Sequence, residues 1–150
     1  MTQPASLKEL AARVVADEYA NVQNVNLPDS LVEYVQTMQG VSLNLAYETI
    51  DNYNALMTLI RDRNEELGNL DVCTQFHLSA QQVHQQVNDA LTALANDLNL
   101  ILSEGSAEWQ EYAVPLLTEI QTTLLAIEER MATVVWGLEI GIEEINNPTT

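Results

Sequence analysis

The side chains best suited to chemistry lie near the middle of the chain: Cys73, His77 and His84, with Asp71 as a fourth donor. Thiolate, imidazole and carboxylate together are zinc ligands, but structural zinc sites usually bring them as close pairs such as Cys-x-x-Cys. Here the spacing is loose and the chain has one cysteine. The plainer reading is a buried loop cysteine, a partly exposed His77 beside Phe76, and His84 on a Gln-rich solvent face. A di-metal carboxylate centre in a helical bundle would need Glu-x-x-His on two helices. Thr74 precedes His77 by three residues and Gln81 precedes His84 by three, so that pattern is missing. Neither a metal nor a cofactor is expected.

Nucleophilic catalysis needs an activated Ser, Cys or Lys together with a base and an oxyanion donor. Nothing in the sequence places a serine near either histidine. Five glycines, none of them clustered, make no phosphate cradle. The acidic pairs Glu65-Glu66, Glu128-Glu129 and Glu143-Glu144 are adjacent on helices and diverge, so they read as solvated faces and not as an acid–base couple. The chain is not expected to be an enzyme.

The elements that would carry these residues are set by composition and spacing. The chain has 150 residues, 47% of them hydrophobic, enough for one compact domain. It carries 22 acidic and 5 basic side chains, for a formal net charge of −17. Average usage would give roughly 19 of each sign, so the acids are ordinary in number and the bases are about fourteen short. Polar surface comes instead from 11 Gln, 13 Asn and 12 Thr. Residues 1–63 hold 8 acids and 4 bases, and residues 64–150 hold 14 acids and a single base, Arg130. A partner that reads the charge would read the second half.

Phosphate contacts need clustered Lys and Arg, so nucleic acid is excluded as a direct ligand, and an anionic membrane surface with it. No stretch approaches the roughly 20 apolar residues of a spanning helix, and no basic-then-apolar signal pattern opens the chain. One cysteine precludes an internal disulfide framework. A cytoplasmic or intracellular protein is expected.

Hydrophobic spacing predicts helix nearly throughout. Ser6 and Glu9 form a capping-box pattern ahead of an apolar face of Leu7, Leu10, Ala11, Val14 and Val15. Pro28 suits the first turn of a short helix that stops near Gly40. Leu43, Tyr47, Ile50, Tyr53, Met57 and Ile60 make the next face, ending at Gly68-Asn69. Residues 69–78 read as the longest irregular stretch, and Ser79 with Gln82 as a second capping box ahead of a helix to Glu104. Beyond Gly105, the positions Ala113, Leu117, Ile120, Leu124, Ile127, Met131, Val134 and Leu138 alternate in steps of four and three, a heptad seam. Pro115 must start that helix or kink it. The expected fold is all-α: an antiparallel bundle of four to five helices in a single domain. Residues 1–40 form a short hairpin, 41–68, 79–104 and 106–145 longer helices, and 146–150 a frayed tail.

Three features bear on contacts. Gly137 and Gly141 form a G-x-x-x-G step, which serves either local helix crossing or a close homodimer contact. Trp109 and Tyr112 cap the bundle end or anchor a partner. The glutamates Glu104, Glu108, Glu111, Glu119, Glu128 and Glu129 are those that would occupy a basic groove.

Ser6-Leu7-Lys8-Glu9-Leu10-Ala11-Ala12-Arg13-Val14-Val15 resembles the elongin-binding box of SOCS-box adaptors, with Leu7, Ala11 and Val15 at the Leu, Cys/Ala and aliphatic places. Leu27-Pro28 and Leu31-Val32-Glu33-Tyr34-Val35 resemble the cullin-contacting box of the same family. Ala11 replaces the more usual Cys, and Asp29-Ser30 stand in the region of the second proline. The resemblance covers about a fifth of the chain and implies a helical hairpin that recruits a ubiquitin-ligase scaffold.

The function expected is that of a non-enzymatic acidic helical protein acting through helix surfaces: an assembly component, adaptor or inhibitor. The alternative is an acidic nucleic-acid mimic of the viral or phage counter-defence kind, using the six glutamates. The SOCS-box-like adaptor, using Leu7, Ala11, Val15, Leu27 and Pro28, is the third. The partner expected is another protein with a basic or helical surface, with homo-oligomerisation left open.

Overall fold

A computed structural model describes residues 5–18 and 27–148. The fold is all-α: α1 (Leu7–Glu18), α2 (Asp29–Met38), α3 (Val41–Asp62), a 3-10 turn at Asn64–Gly68, α4 (Leu70–Glu104) and α5 (Ala107–Asn146). No strand occurs among the described residues, and none of their helices is long and apolar enough to cross a membrane. Gly40 makes the α2–α3 turn with φ of 72°, a left-handed conformation that glycine adopts without steric cost. Gly105 separates α4 from α5 where a Cβ would lie 2.6 Å from the Ile101 carbonyl oxygen. Pro115 neither starts nor ends α5; it stands inside it, exposed to solvent that can satisfy the carbonyl its missing N–H leaves over.

The chain divides into two compact helical units. The first, residues 1–45 with 92–122, is built from α1, α2 and the adjoining parts of α3, α4 and α5. Its core is Ala12, Tyr34 and Val35, with Val15, Leu31, Leu100 and Trp109 packed against them. The second unit, residues 46–91 with 123–150, buries Tyr53 and Leu56 of α3, Phe76 and Val83 of α4, and Leu124, Ile127 and Met131 of α5. The α5 seam lies where its periodicity put it. Ala113, Leu117, Leu124, Ile127, Met131 and Leu138 are buried, and Ile120 and Val134 are half-buried.

Three local expectations are corrected. Residues 70–78 are helical, so Cys73 and His77 belong to a helix and not to a loop. The cap is Asn69, whose Oδ1 accepts the Asp71 and Val72 amides at 2.9 and 3.3 Å, and Ser79 lies in the helix interior. Cys73, Phe76, Ala80, Val83, Val87, Ala90 and Leu94 are all buried and step by three and four, which extends the seam two turns upstream of Ser79. The α3 face is rotated by one position: Ala46, Thr49, Tyr53 and Leu56 are buried, whereas Tyr47 is exposed. In α1, the third, Glu9 is buried and Leu7 is exposed.

Candidate functional site

In α1, Ser6 caps as expected, its Oγ accepting the Glu9 amide at 3.1 Å. The Glu9 carboxylate does not return to the cap. It is fully buried and crosses to the start of α5, accepting the Ser106 N–H at 2.6 Å and the Ser106 hydroxyl at 2.7 Å. Arg13, one turn along α1, donates to the same carboxylate at 2.7 Å. Ser106 is itself the cap of α5, because its Oγ accepts the Trp109 amide at 3.2 Å. A carboxylate at a helix N-terminus is favoured by the orphan amides and the helix dipole there. Among the described residues, no buried side-chain nitrogen or oxygen lacks a hydrogen-bond partner.

Further bonds hold the same corner. The Tyr34 hydroxyl donates to the Glu104 carbonyl at 3.2 Å, and its ring packs on Trp109 at 5.2 Å between centroids. Burial, reinforced by the Glu9 charge, raises the Tyr34 phenol above its ordinary range. Gln110 Nε2 donates to the Gly105 carbonyl at 3.0 Å and also reaches the Ile101 carbonyl at 3.3 Å. Lys8 joins Glu104 at 3.5 Å, an exposed pair of small worth.

This arrangement turns α1 over. Glu9 and Ala12 face inward and Ala16 is half-buried, whereas Leu7 (86% exposed), Leu10 (47%), Ala11 and Val14 (58%) face out. The apolar face expected to pack is the one left uncovered. The reason is steric and electrostatic: the alanine side lets α1 approach α2 closely, and Glu9 and Arg13 on that side satisfy the α5 terminus. Val15 is half-buried among Ala12, Tyr34 and Val35.

The other predicted residues are dispersed. Leu27 is half-buried in the first unit's core, and Pro28 is the exposed N-cap residue of α2, its carbonyl accepting the Leu31 and Val32 amides. Glu108, Glu111 and Glu119 are exposed and share one face of α5 with Tyr112, which is 76% exposed. Glu104 is engaged by Lys8. In the second unit, Glu129 is exposed and Glu128 lies 3.0 Å from His84 Nε2. His77 Nε2 lies 3.2 Å from Glu139. Cys73 is buried, its thiol donating to the Leu138 carbonyl at 3.7 Å, and burial pushes its pKa up. Asp71 is exposed. No three His, Cys, Asp or Glu side chains gather in a metal-binding cluster among the described residues. The glycines of the G-x-x-x-G step part company: Gly141 stands against Cys73 Sγ, and Gly137 faces open space.

Sequence reading missed Leu10 and Val14 as surface residues, and also Trp136, which is 64% exposed on α5 with Leu125 and Ala132 on the same face. A signal existed only for α1: the Glu9–Arg13 pair, four residues apart, borders Ala12 and Ala16.

No family model, curated protein or solved structure matches the chain.

Proposed function

We propose that this chain is a non-enzymatic, acidic helical interaction protein, an assembly component, adaptor or inhibitor, that docks by laying the outer face of α1 into an apolar groove of another protein. The observation that carries this reading is the exposure of Leu7, Leu10, Ala11 and Val14 on one face. Their spacing is the i, i+3, i+4, i+7 set of anchors by which a helix fills a groove. Such a face is costly to leave in water, since each large aliphatic side chain gains about 1.5–3 kcal/mol on burial. A second copy of the chain is the weaker occupant. Two chains of net charge −17 repel, and two convex helix faces enclose less apolar surface than a helix seated in a groove.

The test is site-specific photocrosslinking from positions 10 and 14, with position 51 of α3 as an exposed polar control. Capture of one heterologous protein from 10 and 14 but not from 51, lost on Leu7→Asp, supports the reading. Self-crosslinking only, or equal capture from position 51, overturns it.

A second reading is favoured by the outward placement of Leu7 and Ala11 one turn apart, two of the three positions at which residues 6–15 resemble the elongin-binding box. There the partner is the elongin complex. Purified elongin that is retained by the intact chain but not by Leu7→Ser or Ala11→Phe supports it; no retention by the intact chain ends it.

A further inference from the structure

The first unit contains a cleft of about 240 Å³, bordered by Thr37, Met38, Gly40, Asp97, Trp109 and Tyr112. The volume lies below the ~300–1,000 Å³ of sites for drug-sized ligands and suits a single functional group on a short stem. Three features of the cleft favour a cation, against the positive N-terminus of α3, which begins at Val41 beside Gly40. Asp97 is half-buried, accepts the Thr37 hydroxyl at 3.2 Å and a hydrogen bond from the Ser42 side chain, and has no salt bridge to Lys, Arg or His among the described residues. Thr37, Met38 and Gly40 belong to the C-terminal end of α2, where the helix dipole is negative, and the last turn of α2 holds no basic residue. Trp109 and Tyr112 line the cleft, and an aromatic ring attracts a cation at its face.

Burial pushes the Asp97 carboxyl pKa up, against the lowering by hydrogen bonds from Ser42 and Thr37, and the nearby Glu33 charge adds to the rise. Arg13 is not the counter-ion of Asp97. It lines a neighbouring hollow that shares Met38, Trp109 and Tyr112, and its guanidinium is held by Glu9 at 2.7 Å.

We propose that this cleft binds a guanidinium group, with Asp97 as its counter-charge and Trp109 and Tyr112 as its stacking surfaces. The Asp97 carboxylate favours a cation that carries N–H donors over a quaternary ammonium, which has none. Guanidinium is planar and weakly hydrated, so it stacks and pairs with carboxylate at smaller desolvation cost than a compact ammonium. The group comes either from an arginine side chain of a protein partner or from a free guanidino compound. The site does not depend on the α1 face, so either proposal can fail without the other.

The experiment is a titration of the uniformly ¹⁵N-labelled full chain with N-methylguanidinium, and with N-methylurea as the neutral isostere. The reporters are the Gly40 amide and the Trp109 indole N–H, the latter distinguished from Trp136 by Trp136→Phe. The cation is expected to shift both signals saturably, with no response to the urea. Asp97→Asn is expected to weaken binding at least tenfold. Tyr112→Ala, at an exposed position that the fold does not need, is expected to weaken it several-fold. Glu129→Gln, which removes the same charge from a residue that does not line the cleft, is expected to change affinity less than twofold. A response to N-methylurea as large as to the cation overturns the proposal. So do undiminished binding in Asp97→Asn and equal shifts at Trp136. Acetyl-Gly-Arg-Gly-amide binding at least as tightly as the small cation assigns the site to an arginine side chain; binding tenfold more weakly assigns it to a free guanidino compound.

Discussion

Glu9, fully buried on α1, is joined by both carboxylate oxygens to Ser106, 97 residues away at the start of α5. One acidic side chain thereby caps a second helix, holds the Arg13 guanidinium, and determines which face of α1 meets solvent. Removing it leaves the buried Ser106 N–H and hydroxyl without their acceptor, at about 1–3 kcal/mol for each such group. Glu9→Ala is therefore expected to lower stability by about 2–4 kcal/mol in urea or thermal unfolding, with Ser106→Ala costing about 1–2 kcal/mol through the lost cap. Near-neutral results for both would show that the contact does not hold α1.

The inverted face of α1 gives a paired expectation. Leu7→Asp and Val14→Asp change exposed positions and should leave stability within about 0.5 kcal/mol of the parent. Ala12→Leu adds a larger side chain at a fully buried position and should cost about 1–3 kcal/mol. The reverse ranking in chemical denaturation would return the apolar face to the core.

Gly137 and Gly141 separate by their surroundings. A Cβ at Gly137 meets nothing within 4 Å, so Gly137→Ala should stabilise α5 by about 0.5–1 kcal/mol through helix propensity. At Gly141 the same Cβ lies 3.3 Å from Cys73 Sγ, so the gain is offset by crowding and Gly141→Ala should be the less stable of the two variants. Thermal melts of the pair decide it.

Asp97 carries a pH expectation. Its folded-state pKa is raised, first by burial, so it favours the folded state below the ordinary carboxylate range, and that contribution is lost as pH rises through the raised value. Asp97→Asn should therefore be more stable than the parent at neutral pH, and the difference should shrink as pH falls toward that range. The amide oxygen can still accept from Thr37. A difference that grows on acidification contradicts the assignment.

Salt separates the interaction readings. Binding through the apolar α1 face should change little between about 50 and 500 mM salt. Binding through Glu108, Glu111 and Glu119 should weaken steeply over the same range as screening shortens.

The local pattern was enough for the helical class, the α5 seam and the shortage of bases, because each depends on spacing or counting along one chain. Ala113 to Leu138 repeat at heptad intervals, and that repeat marks the face that packs whatever the partner helix is. The three-and-four period is already present at Cys73, Phe76, Ala80 and Val83, but a stop at Gly68-Asn69 and a fresh start at Ser79 with Gln82 mask it. Only the Asn69 cap and the burial of Cys73 and Phe76 decide that residues 70–78 are helical. Periodicity could not tell which side of α1 faces inward. That choice belongs to Ser106 and Tyr34, residues distant in sequence: a fully satisfied Glu9 with a close-packed Ala12 outweighs covering Leu7 and Val14 within the chain. The cleft at Asp97 was equally illegible, since Thr37, Asp97 and Trp109 come from three helices and share no motif. One-dimensional periodicity determines that a helix has an apolar face, and only the tertiary structure decides whether that face is kept for the core or offered to a partner.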